Sequence, residues 1–175
     1  RERRLGNMFV KYLTGDPFTF ASADGEEVIL VHQWLKNHGF PVVQTLRFDP
    51  EGRRLLMTET TYDGNYMVID NHDSRDLGRH LVNRQLLASQ VLETAQRAYA
   101  KGNGVFLSTD AYAIVVRQDT IGELLLLDIC FGTHRLSHHR RISFNPNFSG
   151  EKYTLEKALK YARLFNQEVL NSATI

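Results

Sequence analysis

Cysteine, proline and tryptophan are scarce in this chain of 175 residues, which has one cysteine, four prolines and one tryptophan. The lone cysteine, Cys130, excludes an internal disulfide framework and the usual multi-cysteine zinc sites, and it suits a reducing compartment. The cytosol is therefore the expected location. Charge of one sign is missing too: Lys+Arg 21 against Asp+Glu 20 leaves a formal charge of +1, so no global field advertises a nucleic-acid or membrane partner. Long apolar runs are absent. Leu124–Leu127 is far too short to span a bilayer, and the opening Arg-Glu-Arg-Arg is not followed by a signal-peptide core. A soluble chain is expected, and its start at Arg1 without a methionine suggests a fragment or a processed form. No repeat, low-complexity tract or Pro/Gly/Ser linker interrupts it, so a single domain is the expectation.

What is present reads as alternating strands and helices. Met8–Leu13 is a strand candidate with Lys11 inside it. Asp24 and Glu27 have capping-box spacing ahead of Val28, Val31 and Leu35, which predicts a helix of about 14 residues ended by Gly39 and Pro41. Residues 42–48 and 54–59 form a hairpin around Asp49-Pro-Glu-Gly52. After a polar stretch over 60–76, Leu77, Leu81, Leu87, Val91, Ala95 and Ala98 predict one long helix ended by Gly102. Residues 112–116 and 123–129 predict a second hairpin, and a last helix starts near Thr154 with Leu155, Leu159, Ala162, Phe165 and Val169 on its apolar face. Residues 133–150 read as a basic loop. This order segregates a small sheet from helices and predicts an α+β fold.

Four carboxylates and one lysine carry the chemistry. A lysine on a half-buried strand needs an anion or a route to solvent, although on a strand edge it is more often a solvated gatekeeper. Glu26 and Glu27 can supply the anion, or simply favour the first turn of their helix. Asp128 follows four leucines, where a carboxylate calls for pairing or a metal. Asp110 stands at the mouth of the second hairpin, with Ser108 and Thr109 beside it as ordinary turn residues. Together these are the parts that phosphoryl transfer uses: a cation and Mg²⁺ against phosphate oxygens, and a carboxylate that orients the attacking hydroxyl.

Over nearly the whole chain their order resembles the protein-kinase-like superfamily, including the aminoglycoside and other small-molecule kinases. Phe9-Val-Lys11 is similar to the strand with the phosphate-binding lysine. Glu26-Glu27 with His32–Pro41 resembles the regulatory helix and its exit, and Leu55–Thr60 followed by Tyr62-Asp-Gly64 resembles the last small-lobe strand and the hinge. Val105–Asp110 looks like the approach to the catalytic loop, and Leu126–Gly132 like the Asp-Phe-Gly turn. The resemblance implies a bilobal fold, with an N-lobe over 1–61 and a reduced C-lobe over 62–175. It also implies an ATP-dependent phosphotransferase acting on a protein or small-molecule hydroxyl. Lys11 then contacts the nucleotide phosphates, Glu26 or Glu27 holds Lys11, Glu59, Thr60 and Thr61 lie where adenine is bound, and Asp128 binds Mg²⁺. Asp110 takes either the catalytic-base or the metal-ligand position. No His-Arg-Asp ends at Asp110, no Asn follows it five residues on, Ile129 follows Asp128, and no glycine-rich loop precedes Lys11. The alternative is therefore a pseudokinase, a non-catalytic binding or scaffolding module; a third is an unrelated α+β binding domain.

His134–Arg141 holds three His and three Arg. In the kinase-like alignment it falls in the activation-segment region, where it can meet a phosphate or an acidic substrate, bind nucleic acid electrostatically, or remain a solvated basic loop. Adjacent His138 and His139 do not suit zinc. A nucleotide and a hydroxyl-bearing substrate are the expected partners, with no membrane and no nucleic acid. The cytoplasm is the expected site of action, or a host cytosol for a secreted effector.

Overall fold

The structure, a computed structural model, describes residues 2–5, 8–12, 32–42, 44–49, 54–58, 67–72, 75–101, 107–118, 120–126, 134–136, 142–144 and 154–171. It is mixed helix and strand, as the α+β expectation has it. Among the described residues nine strands fall into three antiparallel sheets. β1 (Glu2–Leu5), β2 (Met8–Tyr12), β3 (Gln44–Asp49) and β4 (Arg54–Thr58) form a sheet of order β1-β2-β4-β3. β3 and β4 are the expected first hairpin, with Asp49 opposite Arg54 and a register shift between Thr45 and Arg47. β1 is an addition, because its Glu-Arg-Arg-Leu sequence carries no β pattern. Its pairing makes β2 an interior strand, with Lys11 in register with Glu2 on one side and Leu55 on the other. The edge-gatekeeper explanation of Lys11 therefore does not hold.

The second sheet has order β5-β6-β7, formed by Met67–Ile69, Tyr112–Gln118 and Ile121–Leu126. β5 lies within the stretch read as merely polar. β6 is wholly buried from Tyr112 to Val116, which its continuous apolar run Tyr-Ala-Ile-Val-Val requires of a strand covered on both faces. The third sheet pairs β8 (His134–Leu136) with β9 (Ile142–Phe144). At 134–136 and 142–144 that corrects the basic-loop reading, the rest of 133–150 lying outside the described residues: three-residue strands are too short for their alternation to stand out among histidines and arginines.

Four α-helical pieces accompany the sheets among the described residues. α1, described over residues 32–37, ends at Gly39, whose φ of 75° is the left-handed conformation glycine adopts freely. There the Phe40 N–H reaches Leu35 O and the Gly39 N–H reaches Lys36 O, the paired bonds of a Schellman stop. Residues 24–31 lie outside the described residues. α2 (Arg75–Gly78) and α3 (Arg84–Ala100) replace the single helix expected from Leu77 to Ala98. Between them His80, Leu81 and Arg84 each donate to the carbonyl three residues back, so the chain tightens into successive turns. Leu77 is exposed, not on the buried side, while Leu81 and Leu87 are buried. The break has a cause in packing. A Cβ on Gly78 would stand 2.1 Å from Val169 O, and the Val82 N–H donates to Thr120 O rather than along a helix.

α3 is rich in Ala, Leu and Gln and free of Gly and Pro, as helix propensity favours. α4 (Leu155–Glu168) starts where expected, with the Thr154 hydroxyl accepting from the Lys157 N–H at 3.2 Å. The two helices pack together, and Asn166 donates from within that interface to Ala88 O at 2.9 Å. Leu87, Val91, Ile114, Leu126, Phe165 and Leu170 are among the fully buried side chains of this core. Among the described residues no helix is long and apolar enough to cross a membrane.

Candidate functional site

One end of the β5-β6-β7 sheet collects polar side chains. β5 runs antiparallel to β6 with Ile69 opposite Ile114, so Asp70, Asn71 and His72 leave β5 beside the start of β6. There Thr109–Ala111 form a single 3₁₀ turn, closed by the Ala111 N–H on Ser108 O at 3.1 Å. Ala111 and Tyr112 are fully buried, and the Tyr112 ring packs on Phe165 with centroids 5.5 Å apart. The turn is therefore pinned from below while the Asp110 side chain stays 53% exposed. β7 leaves the sheet at the same end, since Leu126 lies opposite Tyr112.

The Asp110 carboxylate is oriented by its neighbours. Asn71 Nδ2 donates to Asp110 Oδ1, and His72 Nε2 stands 3.6 Å from the same oxygen. The His72 N–H donates to Asp70 Oδ1 at 2.8 Å, a local Asx turn that sets the chain direction here. A carboxylate can only accept, so the amide nitrogen of Asn71 must face it. That turns Asn71 Oδ1 inward, where it is buried without a hydrogen-bond partner. The result is a carboxylate with one oxygen held and one open, next to an orphaned amide oxygen. Both are hard oxygen donors suited to a small divalent cation or to the proton of a hydroxyl. Among the described residues no group of three or more His, Cys, Asp or Glu is placed to hold a metal ion.

Of the residues singled out in the sequence, Asp110 stands in this cluster. Lys11 lies in the other, four-stranded sheet. Glu26, Glu27, Glu59, Thr60, Thr61, Asp128 and Cys130 lie outside the described residues. Asn71 and His72 were missed, and the available signal was the polar run Asp70-Asn-His-Asp73 directly after Met-Val-Ile.

A second arrangement fixes α1 to the helical part. Arg97 of α3 donates to His38 O at 3.1 Å and lies over the Phe40 ring, 4.8 Å from its centroid. His38 donates from Nδ1 to Trp34 O at 2.7 Å, with the two rings 4.1 Å apart. Just beyond, Pro41 O accepts from the Leu126 N–H at 2.7 Å, and Val42 bridges Leu126 in parallel. The exit of α1 is thereby tied to α3 and to the last residue of β7. Comparisons with protein-family models, curated proteins and solved structures find no match.

Proposed function

We infer that the chain is a small kinase-like core that binds ATP with Mg²⁺ and transfers the γ-phosphoryl group to a hydroxyl of a protein or small molecule. The observation that carries this reading is the Asp110 corner: an oriented, half-exposed carboxylate beside the buried, unpartnered Asn71 Oδ1, immediately before a hairpin whose second strand runs on toward Asp128 in sequence. A carboxylate with a free oxygen next to the end of a sheet suits the group that orients a reacting hydroxyl. Asp110 and Asn71 also fit Mg²⁺, which takes few protein oxygens and fills its shell with water and phosphate; Asp128 is the further ligand in this reading. When bound, the ion neutralises charge on the transferred group. The kinase-like fold draws support from the fastening of the α1 exit to α3 and to the last residue of β7, since this exit is the segment that resembles the end of the regulatory helix.

A second reading, the pseudokinase, has its own observation: one oxygen of Asp110 is already engaged by Asn71, and the sequence lacks both the His-Arg-Asp triplet and the following Asn. Thermal unfolding with and without millimolar Mg²⁺ and ATP tests the nucleotide site. A ligand at about 100 times its dissociation constant adds roughly 2.7 kcal/mol to the folded state. The expected result is a Mg²⁺-dependent rise in Tm, lost in Asp128→Ala and reduced in Asp110→Ala. A shift without turnover on any hydroxyl acceptor selects a nucleotide-binding pseudokinase, and no shift at all removes the phosphotransferase and leaves a kinase-shaped binding module.

A further inference from the structure

The outer edge of β7 is closed at two points and open between them. At one point Gly122 gives both its backbone groups to Asn83: the Gly122 N–H donates to Asn83 Oδ1 at 3.0 Å, and Asn83 Nδ2 donates to Gly122 O at 2.7 Å. At the other the Leu126 N–H donates to Pro41 O. These bonds show that Gly122 and Leu126 turn their backbone polar groups away from β6. The two-residue period of an antiparallel ladder makes Leu124, between them, do the same. Leu124 lies opposite Ile114, and its outward N–H and C=O have no partner among the described residues.

That stretch of edge is the wall of a cleft of about 460 Å³, whose other side is α3, including Leu86, Gln90, Glu93 and Arg97. Arg97 is already committed to His38 O and Phe40. Glu93 is exposed on α3 and has no ion pair among the described residues. The rim is apolar at the Asn83 end: Val82 is 72% exposed, Leu86 57% and Ile121 51%, and the bond from Val82 to Thr120 O holds the first beside the last. An open strand edge offers a donor and an acceptor to a second extended chain, and clustered exposed apolar side chains mark a surface that is covered when in use.

We propose that this cleft binds an extended peptide of another protein, which pairs its backbone with Leu124, places a lysine or arginine against Glu93 and lays an apolar residue on Val82, Leu86 and Ile121. Residues paired across a ladder point to the same face. Leu124 packs against the core on the same face as Gly122, whose Cβ would meet Leu87 of α3, so the residue opposite it faces α3 as well. That is where Glu93 and Gln90 line the cleft, and a cation is the complement they favour.

The test uses the full ¹⁵N-labelled chain and three synthetic peptides of about seven residues, long enough for one strand. The first alternates Thr and Val around a central Lys, the second replaces that Lys with Glu, and the third is the Lys peptide N-methylated on alternate backbone nitrogens. The expected result is saturable binding of the Lys peptide, with the Leu124 amide slowed in hydrogen exchange by roughly tenfold and the Gly122 and Leu126 amides unchanged. Binding falls by about tenfold for the Glu peptide and for the Glu93→Lys chain, as reversal of a charge pair requires, and it is lost on N-methylation. Because N-methylation alters only the peptide, that arm stands whether or not Glu93→Lys folds. Equal binding of the Lys and Glu peptides, or binding without protection at Leu124, overturns the proposal. Protection of Leu124 that grows with chain concentration and no peptide also overturns it, assigning the edge to a second copy.

Discussion

The two ends of the β5-β6-β7 sheet use the same kinds of residue to opposite effect. At the β6–β7 turn end, Asn83 and the backbone of Gly122 satisfy each other completely, the Val82 N–H meets Thr120 O, and Gly122 leaves room for Ile114, Leu87 and Leu81, which lie 2.4, 3.0 and 3.1 Å from where its Cβ would stand. At the other end Asn71 and Asp110 meet through one bond only, and each keeps an oxygen without a partner among the described residues. An asparagine whose whole amide is engaged is architecture. One that holds an orphaned, buried oxygen costs stability, and such a cost persists where a ligand uses the oxygen.

The largest expected effect lies in the core beneath the polar end. Phe165 is fully buried and stacks on Tyr112, which anchors the Asp110 turn. Phe165→Ala is expected to lower stability by about 4 kcal/mol in urea unfolding, the range for a large side chain deleted from a core. Next comes Gly122→Ala, which forces a methyl group into Ile114 and Leu87 and should cost about 2 kcal/mol by overpacking. Asn83→Ala removes both bonds to Gly122 and should cost about 1 to 2 kcal/mol, read in the same way. If Asn83→Ala proved neutral while Asp110→Ala cost as much as Gly122→Ala, the two ends would have exchanged roles and the contrast would fail.

Legibility from the sequence follows a similar line. Elements set by local chemistry were readable: the Thr154 cap, the Gly39 stop and both hairpins lie within a few residues of where turn and cap residues put them. Elements set by tertiary contacts were not. The break after Gly78 preserves the four-residue spacing of Leu77 and Leu81, so periodicity runs straight through it; only the carbonyl of Val169 and the bond to Thr120 impose the stop. β1, β8 and β9 are short, the first two charged as well, and depend on a partner strand for their definition. In the site, Asp110 was visible because it adjoins a strong β pattern. Asn71 was not, because an amide in a polar run carries no signal until the antiparallel return of β5 sets it against a residue 39 positions away.

The smallest and sharpest effects are expected at the polar end. Asp110→Asn removes a charge from a half-exposed position and should change stability by less than about 0.5 kcal/mol, while reducing the Tm shift with Mg²⁺ and ATP. Asn71→Leu goes further, because it separates the two reasons for the residue to exist. The substitution deletes one bond to an exposed carboxylate, worth about 1 kcal/mol at most. It also deletes a buried oxygen without a partner, and relief of that desolvation is of similar size and opposite sign. The free chain should therefore unfold within about 0.5 kcal/mol of wild type in urea, while the nucleotide-dependent shift falls. A loss of more than about 1 kcal/mol in the free chain would mean that Asn71, like Asn83, is fully satisfied in the fold, and the two ends of the sheet would then differ in exposure alone.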